Sequence, residues 1–142
     1  MRIFISYRYT SVPKKVLEET VLKLVETLRR LGNEVFCNLE NDEKYFKERW
    51  STKQIMDECF EELNKCDYHI SFISSKIKNK IGEGIPIELG YAKCLKLKTL
   101  LLLPYGFHCL TLREVVDKIV IYKSMDELLN KLLPELAELN NA

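Results

Sequence analysis

The residue types that point most clearly to chemistry lie in one short segment, residues 82–92, between two apolar runs of the chain. Gly82 and Gly84 let the backbone turn sharply and approach a ligand closely. Pro86 suits the first turn of a helix, where its missing N–H would have no partner, and Glu88 is predicted to lie in the same turn. The partial positive charge of a helix N-terminus favours an ionised carboxylate, which is a potential nucleophile. The alternative is that Glu88 only complements the helix dipole.

The segments around this motif alternate between apolar runs and amphipathic stretches, which is typical of parallel strands connected by helices. The apolar runs are predicted to be strands, at residues 3–5, 35–37, 68–73, 99–103 and 119–122. Apolar residues recur at helical spacing around residues 21–31, 55–63 and 128–136. Cap signals accompany these helices: Gly32 at a C-terminus, and Ser51 with Gln54 and Ser124 with Glu127 as capping boxes. The acidic residues 40–43 lack apolar periodicity and are predicted to form a loop.

The predicted fold class is α/β, a doubly wound, flavodoxin-like or Rossmann-like sheet of five parallel strands with helices on both faces. Residues 1–142 suffice for one domain with a full hydrophobic core. The run from Leu100 to Leu103 has no polar alternation, so it is expected in a central strand that is buried on both faces.

Ligands of such sheets bind beyond the carboxyl ends of the strands, so polar residues that follow a strand are candidate binding residues. These residues are Ser6, Tyr7 and Arg8 after the first strand, Asn38 and Glu40 after the second, and Ser74, Ser75, Gly82 and Gly84 after the third. Arg8 is a candidate anion ligand because of this position, with a surface salt bridge as the alternative.

Composition excludes several classes of function. Hydrophobic residues make up 46% of the chain, charged residues 30%, and the net charge is +1. These values are ordinary for a globular protein and show no bias toward a nucleic-acid polymer or an anionic membrane. The N-terminus turns polar too early for a signal peptide, and no apolar run could span a membrane. The five dispersed cysteines suit free thiols in a reducing compartment, so a cytoplasmic location is expected.

Other motifs are incomplete. Residues 82–84 lack the third glycine of a dinucleotide fingerprint and follow the third strand rather than the first. Cys66 and His69 have a ligand-like spacing, but no second pair stands near them, so no metal and no cofactor are expected. The lysines of the next loop could gather phosphate or simply be solvated; they are Lys76, Lys78 and Lys80.

Residues 84–92 have the pattern Gly-x-x-x-Glu-Leu-Gly-Tyr-Ala, and a short basic turn and a strand follow them. This arrangement resembles the nucleoside 2-deoxyribosyltransferase superfamily. Within it, the closer resemblance is to the 2′-deoxynucleoside 5′-monophosphate N-glycosidases. Residues 28–32, 66–67 and 104–112 are also similar, and the order of elements matches over nearly the whole chain.

The resemblance implies a hydrolase that cleaves the N-glycosidic bond of a nucleoside 5′-monophosphate or nucleoside. Glu88 would attack the anomeric carbon, and Tyr7 could orient its carboxylate, although a packing role for Tyr7 is equally open. Ser6, Tyr7 and Arg8 would bind the sugar phosphate. Thr111 would reach the phosphate from a neighbouring subunit, which implies a homodimer acting on a small molecule.

Several departures from the family pattern are evident, among them Gly82 in place of an aspartate that often precedes the glutamate in the transferases and the absence of their C-terminal Asn-x-Met segment. The position of a family aspartate that orients the sugar and handles protons is Cys59 here, and Asp57 and Glu58 would point elsewhere if Cys59 faces the site. The glycine-rich turn after the first strand is also missing. These differences favour a divergent hydrolase over a transferase. It remains open which base is released, whether the sugar is ribose or deoxyribose, and whether Cys59 abolishes activity.

A second resemblance is to TIR domains. It rests on residues 4–8, Trp50, residues 66–67 and residues 72–74, and it implies a NAD-cleaving enzyme in signalling or defence with Glu88 again central. A third interpretation is a nucleotide-sensing or interaction module without turnover, which the cysteine at position 59 favours.

Overall fold

The computed structural model describes residues 1–74 and 81–140. Its centre is a five-stranded sheet in the order β2-β1-β3-β4-β5, in which every neighbouring pair is parallel. The strands are β1 (Arg2–Tyr7), β2 (Glu34–Phe36), β3 (Tyr68–Phe72), β4 (Lys98–Pro104) and β5 (Lys118–Tyr122). This is the flavodoxin-like strand order, so the predicted fold class is confirmed.

Helices connect the strands. They are α1 (Lys14–Leu17), which continues through a π-helical turn (Glu18–Leu22) into α2 (Lys23–Arg30), then α3 (Asp42–Lys47), α4 (Thr52–Leu63), α5 (Gly84–Cys94), α6 (Leu110–Val115) and α7 (Met125–Asn140). Among the described residues, every helix is too short or too polar to cross a lipid bilayer.

The leucine run of β4 explains why helices are needed on both sides of the sheet. Leu100 and Leu102 pack into one core cluster with α2 and α7. Leu101 and Leu103 pack into another with α5 and α6. All four are at most 1% exposed, as expected for a strand buried on both faces. The strand in the middle of the sheet is nevertheless β3, and β4 lies one place further out.

Local signals at the helix ends were mostly reliable. Gly32 has φ +92°, a left-handed conformation that glycine adopts without strain, and it follows Leu31, the C-cap residue of α2. Ser51 and Gln54 form the complete capping box of α4. At α7, Ser124 accepts the N–H of Glu127, but the Glu127 carboxylate accepts from the Lys123 N–H, so that box is incomplete.

The prediction of a loop at residues 40–43 was wrong. A 3-10 turn covers Asn38–Asn41, and α3 begins at Asp42. Asp42 and Glu43 occupy the first turn of α3, where negative charge is favourable. Tyr45 anchors this helix: it is buried, and its ring centroid lies 5.0 Å from that of Trp50. Both aromatic residues lie outside the acidic segment, so the segment itself carried no signal for a helix.

Candidate active site

Glu88 lies on the face of α5 that packs against the sheet, and its side chain is buried, with 6% exposed. Gly84 is the first residue of α5 and Pro86 the third, so Pro86 lies in the first turn as predicted. Glu88 is the fifth residue and lies in the second turn, so its predicted place in the first turn was wrong. The helix begins at Gly84, directly after the loop in which Gly82 adopts φ +81°, and this early start leaves Glu88 beyond the first turn.

The hydroxyl of Ser6, on β1, donates a hydrogen bond of 2.7 Å to Oε1 of Glu88. Ser6 is itself fully buried, and its oxygen lies 2.7 Å from Nε2 of His69 on β3. Parallel pairing places Phe4 opposite His69 and Ser6 opposite Ser71. Residues two apart on a strand share a face, so this register brings Ser6 and His69 together beneath α5.

Cys59 of α4 contacts Glu88 from the other side. Its thiol is hydrogen-bonded to the Glu88 carboxylate, and its sulfur lies 3.7 Å from the amide nitrogen of Asn38, just after β2. Burial raises the pKa of the Cys59 thiol, and the negative charge of Glu88 raises it further, so the thiol stays protonated and can donate. Asp57 pairs with Lys53 instead, and Glu58 accepts from Tyr45, Asn41 and Lys44.

The pKa of Glu88 is raised above its ordinary value of 4.5, because burial disfavours the charged carboxylate. Hydrogen bonds from Ser6 and Cys59 act in the opposite direction but do not offset the burial. The expectation that the helix N-terminus holds Glu88 ionised was therefore incomplete. A buried carboxylate with a perturbed pKa and two specific donors is the pattern of a functional group rather than of a helix-dipole partner alone.

Tyr7 is mostly buried and packs against the core cluster beneath α2 and α7. Within the described part of the chain, no hydrogen bond joins its hydroxyl to Glu88; Ser6 is the hydroxyl donor instead. Burial raises the pKa of Tyr7, and the charges of Asp42 and Glu88 contribute to the increase. Its hydroxyl is thus within electrostatic reach of both carboxylates.

Arg8 lies beside Gly82, where an added Cβ would come within 3.2 Å of the Arg8 side chain. Nε of Arg8 donates to the carbonyl oxygen of Thr10 at 3.0 Å. Among the described residues, its Nη1 is buried and has no hydrogen-bond partner. A buried cationic donor without a partner is unfavourable, and an anionic ligand would satisfy it. A Cβ at Gly84 would lie 3.9 Å from Oε1 of Glu88, so Gly84 leaves the approach to the carboxylate open.

The structure also shows the positions of the other predicted residues. Thr111 is exposed on α6, Ser74 follows β3, and Glu40 pairs with Arg29 on the surface. Ser75 and the three lysines of the next loop lie outside the described residues; the lysines are Lys76, Lys78 and Lys80.

Cys66 lies just before β3, and His69 is the second residue of that strand. Among the described residues, no cluster of three or more His, Cys, Asp or Glu side chains could hold a metal ion.

A cavity of about 820 Å³ opens beyond the carboxyl ends of β1 and β2. Its lining includes Tyr9 and Leu39, which follow β1 and β2, and the aromatic pair Tyr45 and Trp50, but among the described residues not Glu88. Asp42, which accepts from the Tyr9 hydroxyl, also lines it. The charges of Asp42, which lines the cavity, and of Glu88 both help to raise the pKa of Tyr7.

Sequence reasoning did not identify His69 or the aromatic pair as site residues. A signal for His69 was available, because His69 and Ser71 are polar residues at alternate positions of an otherwise apolar strand. Once the strand register was known, the face of β3 that carries His69 and Ser71 could have been matched with the face of β1 that carries Phe4 and Ser6.

Comparison with solved structures gives extensive similarity. The CMP N-glycosidase BcmB of Clostridium botulinum superposes with a TM-score of 0.69 and 23% identity, over 94% of this chain and 98% of that one. A 2-deoxyribosyltransferase of Bacillus psychrosaccharolyticus gives a TM-score of 0.68 and 20% identity, over 92% and 91%. The solution structure of BlsM gives 0.67 and 20%, over 99% and 94%.

No protein-family model and no curated protein sequence matches the chain. The structural similarities cover nearly the whole of each chain, at identities below one quarter. The chain therefore shares the complete fold of a CMP N-glycosidase and a 2-deoxyribosyltransferase.

Proposed function

We propose that the protein is an N-glycosidase that hydrolyses a nucleoside 5′-monophosphate, or a nucleoside, with Glu88 as the nucleophile. The observation that carries this proposal is the buried Glu88 carboxylate, held by the Ser6 hydroxyl and the Cys59 thiol at the carboxyl edge of the sheet. The shared fold with a CMP N-glycosidase and a 2-deoxyribosyltransferase supports the class of reaction.

In the first step, a carboxylate oxygen of Glu88 attacks the anomeric carbon of the sugar. The bond between this carbon and the base nitrogen breaks, and its electron pair leaves with the base. The transition state carries positive charge on the sugar, which an adjacent carboxylate stabilises. The Ser6 hydroxyl holds Oε1 in place, so the carboxylate is oriented before the substrate arrives.

In the second step, water attacks the anomeric carbon and breaks its ester bond to Glu88. The carboxylate is regenerated, and a proton from water neutralises the departed base. The Cys59 thiol stays protonated, because burial raises its pKa. It therefore cannot act as a general base in the way an aspartate would, and it serves as a hydrogen-bond donor to Glu88.

Arg8 is the proposed phosphate ligand. Its Nε is held by the Thr10 carbonyl, and its Nη1 has no partner among the described residues, so the Nη1 and Nη2 end of the guanidinium can donate to two phosphate oxygens. Gly82 lets the loop pass close to this side chain, since any larger residue would contact it. This arrangement favours a nucleotide over a nucleoside as the substrate.

The testing experiment is incubation of the purified protein with nucleoside monophosphates, nucleosides and NAD, with chromatography of the released bases. The proposal predicts base release from at least one monophosphate, with CMP as the first probe. Release of nicotinamide from NAD alone would favour the TIR-type activity. Base exchange with an added free base would indicate a transferase, and binding without any release would indicate a non-catalytic module.

A further inference from the structure

His69 is a fully buried histidine in β3, the middle strand of the sheet, and the proposed mechanism does not yet use it. Its ring stacks on Phe4 with a centroid distance of 5.9 Å and an interplanar angle of 17°. Its Nε2 lies 2.7 Å from Oγ of Ser6, and its Nδ1 lies 3.5 Å from Oγ of Ser71. The geometry is a continuous chain of polar groups from Ser71 through His69 and Ser6 to Glu88.

The direction of this chain follows from proton counting. A serine hydroxyl has one proton, and an ionised carboxylate can only accept. When Ser6 donates its proton to Glu88, the bond between Ser6 and His69 must be donated by His69 Nε2–H. Nδ1 is then unprotonated and can accept a long hydrogen bond from Ser71.

A neutral ring fits these surroundings. Burial lowers the pKa of His69 to about 3, so the imidazole is uncharged at neutral pH and carries one ring proton. The position of that proton decides whether Ser6 points toward Glu88 or toward His69.

We propose that His69 is a positioning residue that acts through Ser6: its Nε2–H donates to the Ser6 oxygen and thereby commits the Ser6 proton to the Glu88 carboxylate. The contribution to catalysis rests on the proposed function of Glu88. Without the donor, the Ser6 hydroxyl rotates among other acceptors, and the carboxylate loses orientation rather than substrate contact. The loss therefore falls on kcat and leaves KM nearly unchanged.

Kinetics of single and double variants test the coupling. His69→Phe keeps the stacking on Phe4 but removes the donor, and it should lower kcat about tenfold, the size of one hydrogen bond. His69→Gln retains a side-chain N–H and should recover most of the rate. Ser6→Ala combined with His69→Phe should be no slower than Ser6→Ala alone, because the two residues act as one unit. Additive losses, or a Gln variant as slow as the Phe variant, would overturn the proposal.

Nitrogen NMR of protein labelled with 15N-histidine reports which ring nitrogen of His69 is protonated. This measurement requires neither enzymatic activity nor a substitution in the core. The chain has two histidines, and His108→Gln, an exposed site, assigns the signals. At about pH 8, His69 should be neutral and protonated on Nε2. Protonation on Nδ1 would overturn the proposal. A wild-type protein that released no base would refute the proposed function, whereas the NMR result would still decide the pairing of His69 with Ser6.

Discussion

Substitution of Ser6 by alanine tests how the site controls its buried carboxylate. The hydrogen bond that is lost is 2.7 Å long, and it favours the ionised form of Glu88. A hydrogen bond to a charged group contributes about 1.5–3 kcal/mol. Its removal raises the pKa of Glu88 further, and the acid limb of the profile of kcat/KM against pH moves to higher pH.

The size of the effect follows from that energy. Only the ionised carboxylate is a nucleophile, so below the acid limb the rate should fall by about 10- to 100-fold, since 1.36 kcal/mol corresponds to a factor of ten. The loss should shrink as the pH rises above the limb, because Glu88 is then ionised in both proteins.

The assay is base release from the best monophosphate, measured across the pH range that the fold tolerates. Ser71→Ala is the matched control, because it deletes the same hydroxyl from a buried serine on the neighbouring strand, whose contact with His69 is 3.5 Å long. In Ser71→Ala, the acid limb of the pH profile should move far less than in Ser6→Ala. An acid limb that stays in place in Ser6→Ala would refute the reasoning.

Three further predictions concern the substrate, position 59 and assembly. Arg8→Ala should weaken binding of a nucleotide far more than binding of its nucleoside, measured by calorimetry, because a guanidinium grips two phosphate oxygens; equal losses would show that Arg8 acts on structure. Cys59→Asp should move the acid limb to higher pH, because it sets a second carboxylate against the buried Glu88, while the uncharged Cys59→Asn should not; identical profiles would mean that residue 59 does not contact Glu88. The exposed Thr111 should complete the phosphate site of a second subunit, so light scattering at micromolar concentration should show a dimer, and monomer alone would contradict this.

The sheet was predictable because its signals are local. Apolar runs such as Leu100 to Leu103 are read directly from the sequence, and right-handed connections leave few strand orders. The helix at Asp42 was not predictable in the same way, because its stability depends on Tyr45 packing against Trp50 rather than on periodicity in the acidic segment.

The site was predictable in position and less so in its chemistry. The motif around Glu88 and the place of Ser6 after the first strand predicted both residues at one edge of the sheet, and the structure brings them into hydrogen-bond contact. His69 depends on the register between β1 and β3, which the sequence does not reveal. The direction of the Glu88 pKa shift depends on how deeply its side chain is buried, and burial there outweighs the hydrogen bonds from Ser6 and Cys59. Position 59 could be inferred from a family resemblance, but its hydrogen bond to Glu88 required the structure.

The central claim is that Glu88 is the nucleophile, and Glu88→Gln tests it most directly. Glutamine keeps the shape and can still accept from Ser6, so folding and ligand binding should survive. Base release should fall by several orders of magnitude, about 10⁴-fold or more on the scale of nucleophile removal. Glu83→Gln, at an exposed carboxylate just before α5, is the matched control and should keep the wild-type rate. Wild-type base release by Glu88→Gln would contradict the proposed mechanism.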